Sequence, residues 1–249
     1  MDRAILETRQ MVKKYSGRTV VDHINISVAQ RRIVGLLGRN GAGKTTTFRM
    51  IIGMVVPDGG SVIFQGIEIT KLPMYKRARL GMGYLSQEPS VFQRLSVSDN
   101  LRAILETMSI TKAECDRRVD LLIERYDLGE VANIQARFLS GGERRKLEVA
   151  RAMTTNPSLI LLDEPFSGVD PIVVQELQAE IRRLVASGIS ILITDHNVER
   201  TLEVADQVYV IDHGKVIGSG PPKEVIQNEL VRKSYLGHTF KGDEFDDHG

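Results

Sequence analysis

The sequence predicts an α/β fold built on a mainly parallel sheet, and three observations predict it. Residues 33–37 and 159–162 are continuous apolar runs, and 190–194 repeats the pattern with polar ends. Strands that read this way are covered on both faces, as in a parallel sheet. The runs alternate with helical patterns: 46–54 follows the first, and Val174, Leu177, Ile181 and Leu184 line one face of a helix after the second. In between, residues 96–126 are helical in pattern, so a helical segment interrupts the strand–helix alternation.

Each element follows from local chemistry. The chain begins with short β-rich runs and turns, up to the strand 33–37 and the helix 46–54. Pro57-Asp58-Gly59-Gly60 is a turn signal and 61–64 a strand leaving it. A short strand, 83–85, ends at Ser86-Gln87. Residues 96–108 read as a helix, and Thr111 with Glu114 as a capping box for the next. That helix carries Val119, Leu122, Ile123 and Tyr126 at i, i+3, i+4 and i+7, an amphipathic stripe. Asp170 as N-cap and Pro171 at the first helical position open a helix that Gly188 stops. Residues 208–211 and 216–218 flank Asp212-His213-Gly214-Lys215 as a hairpin. A single domain over 1–240 is expected, with a helical subdomain over about 88–157; 241–249 is polar and acidic and reads as a disordered tail.

Composition narrows the function classes. Lys and Arg number 33 against 32 Asp and Glu, a net charge of +1, which argues against a broad electrostatic footprint for DNA or RNA. Cys115 is the single cysteine, so no disulfide forms within the chain, which suits a reducing cytosol. Met1-Asp2-Arg3 leads into no apolar signal region. No apolar stretch approaches the roughly 18–20 residues of a membrane span. Work at a membrane would go through a partner.

Gly38-Arg39-Asn40-Gly41-Ala42-Gly43-Lys44-Thr45 matches G-x-x-x-x-G-K-[ST] at every fixed position, between a buried strand and a helix. Glycines there let the backbone approach a polyphosphate, and successive N–H groups with the helix N-terminus point positive potential at it. Residues Gly38 to Thr46, with Thr46 included, form the predicted ATP cradle; Lys44 reaches the β- and γ-phosphates and the Thr45 hydroxyl ligates Mg²⁺. A second constellation, Asp163-Glu164, ends the strand 159–162. Asp163 can hold Mg²⁺, directly or through water, and Glu164 can activate a water for attack on the γ-phosphate. A third is Leu139-Ser140-Gly141-Gly142-Glu143. Ser140-x-x-Glu143 is a capping box, and a helix N-terminus behind two glycines is also a second anion site; both readings hold together. Two half-sites in one chain imply ATP sandwiched between the cradle of one protomer and Ser140, Gly141 and Gly142 of a second copy, an isologous pair.

The cradle, Gln87, residues 139–143, Asp163-Glu164, Ser167-Gly168-Val169-Asp170 and His196 stand in the order of the ATP-binding-cassette ATPases, which the chain resembles over roughly residues 3–240. The resemblance implies a P-loop NTPase core with an antiparallel β subdomain and an α-helical subdomain. It also implies roles by position. Tyr15 would stack on adenine, a buried strand tyrosine being the alternative. Gln87 would ligate Mg²⁺ and sense a membrane partner, Asp170 would cross the dimer, and His196 would contact the γ-phosphate. Catalysis would then rest on Glu164, His196, Lys44 and Gln87, and Mg²⁺ on Thr45, Gln87 and Asp163.

One cassette, no sustained heptads and near-neutral charge favour a transporter subunit over translation or repair ATPases. Residues 77–88, 90–97, 164–172, 194–198 and 235–237 are similar to the ATPase subunits of lipopolysaccharide-export transporters of Gram-negative bacteria. This implies two copies driving two integral membrane subunits from the cytoplasmic face of the inner membrane. A branched-chain amino-acid importer has a similar pattern, and a soluble non-transport ATPase is a third reading. Pro89, Val91, Phe92, Arg94 and Leu95 are the expected docking segment for a short membrane-subunit helix, the alternative being that Phe92 packs inside its own domain. Arg39, Ser86, Arg31-Arg32 and Ser167 depart from the residues usual at those positions.

Overall fold

The computed structural model describes residues 3–88, 90–168 and 170–236; Pro89, Val169 and the tail 241–249 lie outside them. β1 (Ala4–Tyr15) and β2 (Arg18–Ala29) pair antiparallel and run 12 residues each, far longer than the short runs expected. Ser16 and Gly17, at φ 47° and 81°, close a two-residue turn whose twist matches that of the strands. Register shifts along the pair, with Gln10 and His23 also at positive φ, break the period-2 alternation that would have marked the strands.

β3 (Ile33–Gly38) leads through the glycine loop into α1 (Lys44–Ile52), which starts at Lys44 rather than at residue 46. β4 (Gly59–Phe64) and β5 (Ile67–Glu68) complete a four-stranded antiparallel sheet in the order β2-β1-β4-β5. α2 (Met74–Arg79) and β6 (Met82–Leu85) follow. Among the described residues, three α-helices then stand between β6 and the next strand: α3 (Val97–Leu105), α4 (Lys112–Arg125) and α5 (Gly141–Met153). Ser96 caps α3 by accepting from Asp99 N. At α4 only half of the expected box forms: Thr111 accepts from Glu114 N, while the Glu114 carboxylate takes bonds from Arg117 and Arg118 instead. Two forked guanidiniums outcompete one backbone N–H for that carboxylate. Glu114 is consequently held down to a pKa of about 2.

β7 (Leu159–Asp163), α6 (Pro171–Ala186), β8 (Ser190–Thr194), α7 (Val198–Leu202), β9 (Gln207–Asp212), β10 (Lys215–Gly220) and α8 (Pro222–Gln227) close the fold, with short turns to Leu236. Asp170 stands at the N-cap of α6 but its side chain makes no capping bond. The second sheet has the order β10-β9-β3-β8-β7-β6, parallel except for the β9–β10 hairpin. Its central strands are buried on both faces, which is why they read as continuous apolar runs. One core joins α1 (Phe48, Ile51) to the β1–β2 hairpin and to one sheet face. Another joins α3, α4, α5 and α6 to residues of the parallel sheet, with Val119, Leu122 and Tyr126 inside it.

Candidate functional site

Parallel register sets the site. Leu36 of β3 and Asp163 of β7 both pair with Thr194 of β8, so the loops that leave these strands emerge side by side. Ligands of open parallel sheets bind at such carboxyl ends. The glycine loop, Asp163-Glu164 and Asp195-His196 are thereby brought together from three separated stretches of chain.

In the loop, Gly43 serves as the N-cap of α1 at φ 108°, and no side chain caps the helix. A Cβ on Gly43 would strike Val20 O at 2.6 Å, whereas one on Gly41 (φ 79°) would meet nothing within 4 Å. Gly43 is thus dictated by packing on β2. Gly41 borders open space. Lys44 is buried, and its Nζ donates to Gly38 O at 2.6 Å and Arg39 O at 3.2 Å. Burial pulls the ammonium pKa down, and the charges of Glu164 and Asp195 oppose this. Thr45 is exposed and Thr46 half-buried at the first turn. Arg39 and Asn40 are exposed on the loop, and Ala42 is buried, its carbonyl accepting from Gly214 N.

Glu164 sits at φ 49°, a left-handed conformation uncommon for a side-chain-bearing residue, held by its N–H donating to Thr194 O at 2.7 Å. The next turn is tied across by Asp195, a residue the motifs did not single out. Its fully buried carboxylate accepts from Phe166 N at 2.9 Å and Asn197 N at 2.8 Å. Burial pushes its pKa up against those two bonds. The tie leaves His196 Nδ1 3.4 Å from Glu164 Oε2. An acid directly behind an apolar strand was the available signal for Asp195.

Asp163 accepts a hydrogen bond from the Tyr84 hydroxyl at its Oδ2, 3.2 Å away. Burial, with Glu164 and Asp195 nearby, pushes the Asp163 pKa up, and the Tyr84 bond opposes the rise. Tyr84 itself is pushed up to about 12, first by burial and then by Asp163. Three carboxylates crowded behind one lysine leave a negative charge that a divalent cation would balance. The exposed Thr45, with Gln87 and Asp163, would offer oxygen donors of the type Mg²⁺ takes together with phosphates and water. Among the described residues no group of three or more His, Cys, Asp and Glu could hold a metal unaided. The residues therefore fit a cation that arrives with a nucleotide. Gln87 is exposed, its Nε2 3.5 Å from the hydroxyl of Ser167.

Tyr15 ends β1 with 46% of its surface exposed and Lys13 Nζ 5.5 Å from the ring centroid, so the buried-tyrosine alternative is excluded. Lys13 is itself anchored to Val56 O and Asp58, both at 2.8 Å.

Ser140 starts α5 with a complete capping box: its hydroxyl accepts from Glu143 N, and its N–H donates to Glu143 Oε2. The Ser140 hydroxyl also donates to Glu143 Oε2 at 2.6 Å, and this bond, with that of the Ser140 N–H, holds the Glu143 pKa down. Ser140, Gly141 and Gly142 are exposed, and a Cβ on either glycine would meet nothing within 4 Å. Among the described residues no hydrogen bond joins them to the glycine loop within the chain.

Of the expected docking residues, Val91 is buried in its own core and cannot face a partner. Phe92 (47% exposed), Arg94 and Leu95 face outward, and Pro89 lies outside the described residues. Phe92 is held by Asn100, fully buried, which bonds its N–H and carbonyl. The Arg151 guanidinium lies 4.6 Å from the Phe92 ring centroid and donates to Ser90 O. Among the described residues no helix is long and apolar enough to cross a membrane.

A glycine cradle at one strand end, an acid pair at a second, a histidine at a third and an exposed glycine helix start elsewhere define a P-loop ATPase of the cassette class. The chain belongs to the ABC transporter family, whose model matches residues 21–167, and it hydrolyses ATP to drive transport. It is 46% identical over 239 residues to the lipopolysaccharide export system ATP-binding protein LptB of Escherichia coli K12, covering 96% of this chain and 99% of that one. The LptB of Acidithiobacillus ferridurans is 47% identical over 237 residues, covering 95% and 98%. Among solved structures, the ADP conformation of an ATP-binding cassette of an ABC transporter superposes with a TM-score of 0.84 at 27% identity, covering 94% of this chain and 99% of that one.

Proposed function

We propose that this chain is the ATP-hydrolysing subunit of a lipopolysaccharide-export transporter. Two copies pair through ATP and drive two integral membrane subunits from the cytoplasmic face of the inner membrane. The observation that carries the cargo is identity of 46–47% over nearly the full chain to export ATPases. The importer and non-transport readings have no comparable support.

In the proposed cycle Tyr15 stacks on adenine and the loop from Gly38 to Thr46 wraps the phosphates, with Lys44 leaving its loop carbonyls for the β- and γ-phosphates. Ser140, Gly141 and Gly142 of the second copy cover the γ-phosphate; their open glycine face suits a ligand shared between chains. Glu164 orients and deprotonates the attacking water, with His196 at 3.4 Å touching the γ-phosphate side. Thr45, Gln87 and Asp163 would hold Mg²⁺, which would supply positive charge to offset that of the phosphates. Loss of the γ-phosphate removes the bridge between copies and reopens them.

Affinity purification from the native membrane tests the proposal. Co-purification of two polytopic subunits whose reconstituted complex extracts lipopolysaccharide with ATP is expected. Ribosomes, nucleic acid or an amino-acid permease in their place would overturn it.

A further inference from the structure

Tyr84 touches more of the site than any motif assigns to it. It lies on β6, half-buried, paired in register with Leu161 of β7. Its hydroxyl donates to Asp163 Oδ2 at 3.2 Å, across 79 residues of sequence. Its ring stands 6.2 Å from that of Phe48, tilted by 53°. Phe48 is fully buried on α1, four residues and one helical turn after Lys44. Gln87 follows Tyr84 by three residues. One side chain thus meets α1, which carries Thr45, and the end of β7, which carries Asp163, from the strand that delivers Gln87.

We infer that Tyr84 is a positioning residue for the divalent-cation site, orienting the Asp163 carboxylate from behind and linking the three elements that carry the cation's ligands. The inference rests on reading Thr45, Gln87 and Asp163 as those ligands. The choice of a phenol has a physical reason. A neutral O–H donor fixes the rotation of a carboxylate without cancelling its charge, whereas a lysine or arginine there would compete with the cation. With Oδ2 engaged, Oδ1 is the oxygen left with both lone pairs for the metal or its water. Groups that orient a metal's ligands in this way commonly set affinity by an order of magnitude or more.

The test uses the full-length chain carrying Tyr84→Phe, which keeps the ring against Phe48 and removes only the hydroxyl. Binding of a fluorescent ATP analogue is titrated with Mg²⁺, and again with EDTA; Asp163→Asn is run alongside. Tyr84→Phe is expected to raise the half-saturating Mg²⁺ concentration about tenfold, with metal-free nucleotide affinity unchanged. Mn²⁺ binding followed by electron paramagnetic resonance should weaken in parallel. An unshifted Mg²⁺ dependence in Tyr84→Phe, with Asp163→Asn shifted, would overturn the inference. Equal weakening with and without metal would also overturn it, since that marks a packing defect. If Asp163→Asn leaves the Mg²⁺ dependence alone, the assignment of the cation site fails and the role of Tyr84 falls with it.

Discussion

Replacing Arg77 should destabilise the cassette more than any exposed charge would. Arg77 of α2 is 1% exposed, and its guanidinium donates to the carbonyls of Leu72 (2.8 Å), Met50 (2.8 Å), Ile51 (2.6 Å) and Thr70 (2.9 Å). Met50 and Ile51 lie in the last turn of α1, where carbonyls lack helical partners and the helix dipole is negative. Burial pushes the Arg77 pKa down to about 10, so it remains a cation at neutral pH. Arg77→Met fills similar space but strands four acceptors. At about 1 kcal/mol each, the low end for a buried group left unpaired, the loss is about 4 kcal/mol. That is a large share of the ~5–15 kcal/mol by which domains are stable. Arg77→Lys keeps the charge but not the fork and should lose about half as much, roughly 2 kcal/mol. Urea unfolding of the three proteins measures both. A loss below about 1 kcal/mol for Arg77→Met would show that water or local shifts satisfy the carbonyls. Arg77→Lys being as unstable as Arg77→Met would show that the charge contributes nothing.

Three further outcomes are expected. Glu164→Gln should bind ATP, lose about 10²–10⁴-fold in turnover and accumulate as an ATP-bound dimer by gel filtration; hydrolysis at the normal rate would remove Glu164 as the base. Lys44→Ala should weaken triphosphate binding about 10- to 150-fold, the worth of a charged hydrogen bond of about 1.5–3 kcal/mol, read with a fluorescent nucleotide. Unchanged affinity would contradict the cradle assignment. Phe92→Ala removes a ring that is 47% exposed, so thermal stability should hold while recovery of membrane subunits falls; equal recovery would exclude that face from docking.

The parts legible in the sequence were those whose chemistry is local. The glycine loop, the acid pair after an apolar run and the Ser140–Glu143 box are each contained within a few residues, because loop-to-helix geometry needs its special residues at fixed spacing. The long β1–β2 hairpin was hidden because bulges scramble its alternation. The Thr111–Glu114 box was half wrong because two arginines one helical turn away claimed the carboxylate. Val91 read as a partner anchor, yet an apolar residue in a loop gives no sign of which side it faces until the helical core takes it in.

The chain by itself determined the strand–helix alternation and which residues carry charge at each strand end, since hydrophobic period and turn chemistry act between near neighbours. Tertiary structure decided the rest. Parallel register put the loops after β3, β7 and β8 at one edge. Asp195 then drew His196 to 3.4 Å from Glu164. Tyr84 found Asp163, and Arg77 found the end of α1, through bonds spanning 79 and 26 or 27 residues. A hydrogen bond of that span leaves no periodic trace, because its partners are chosen by sheet order and packing rather than by spacing along the chain.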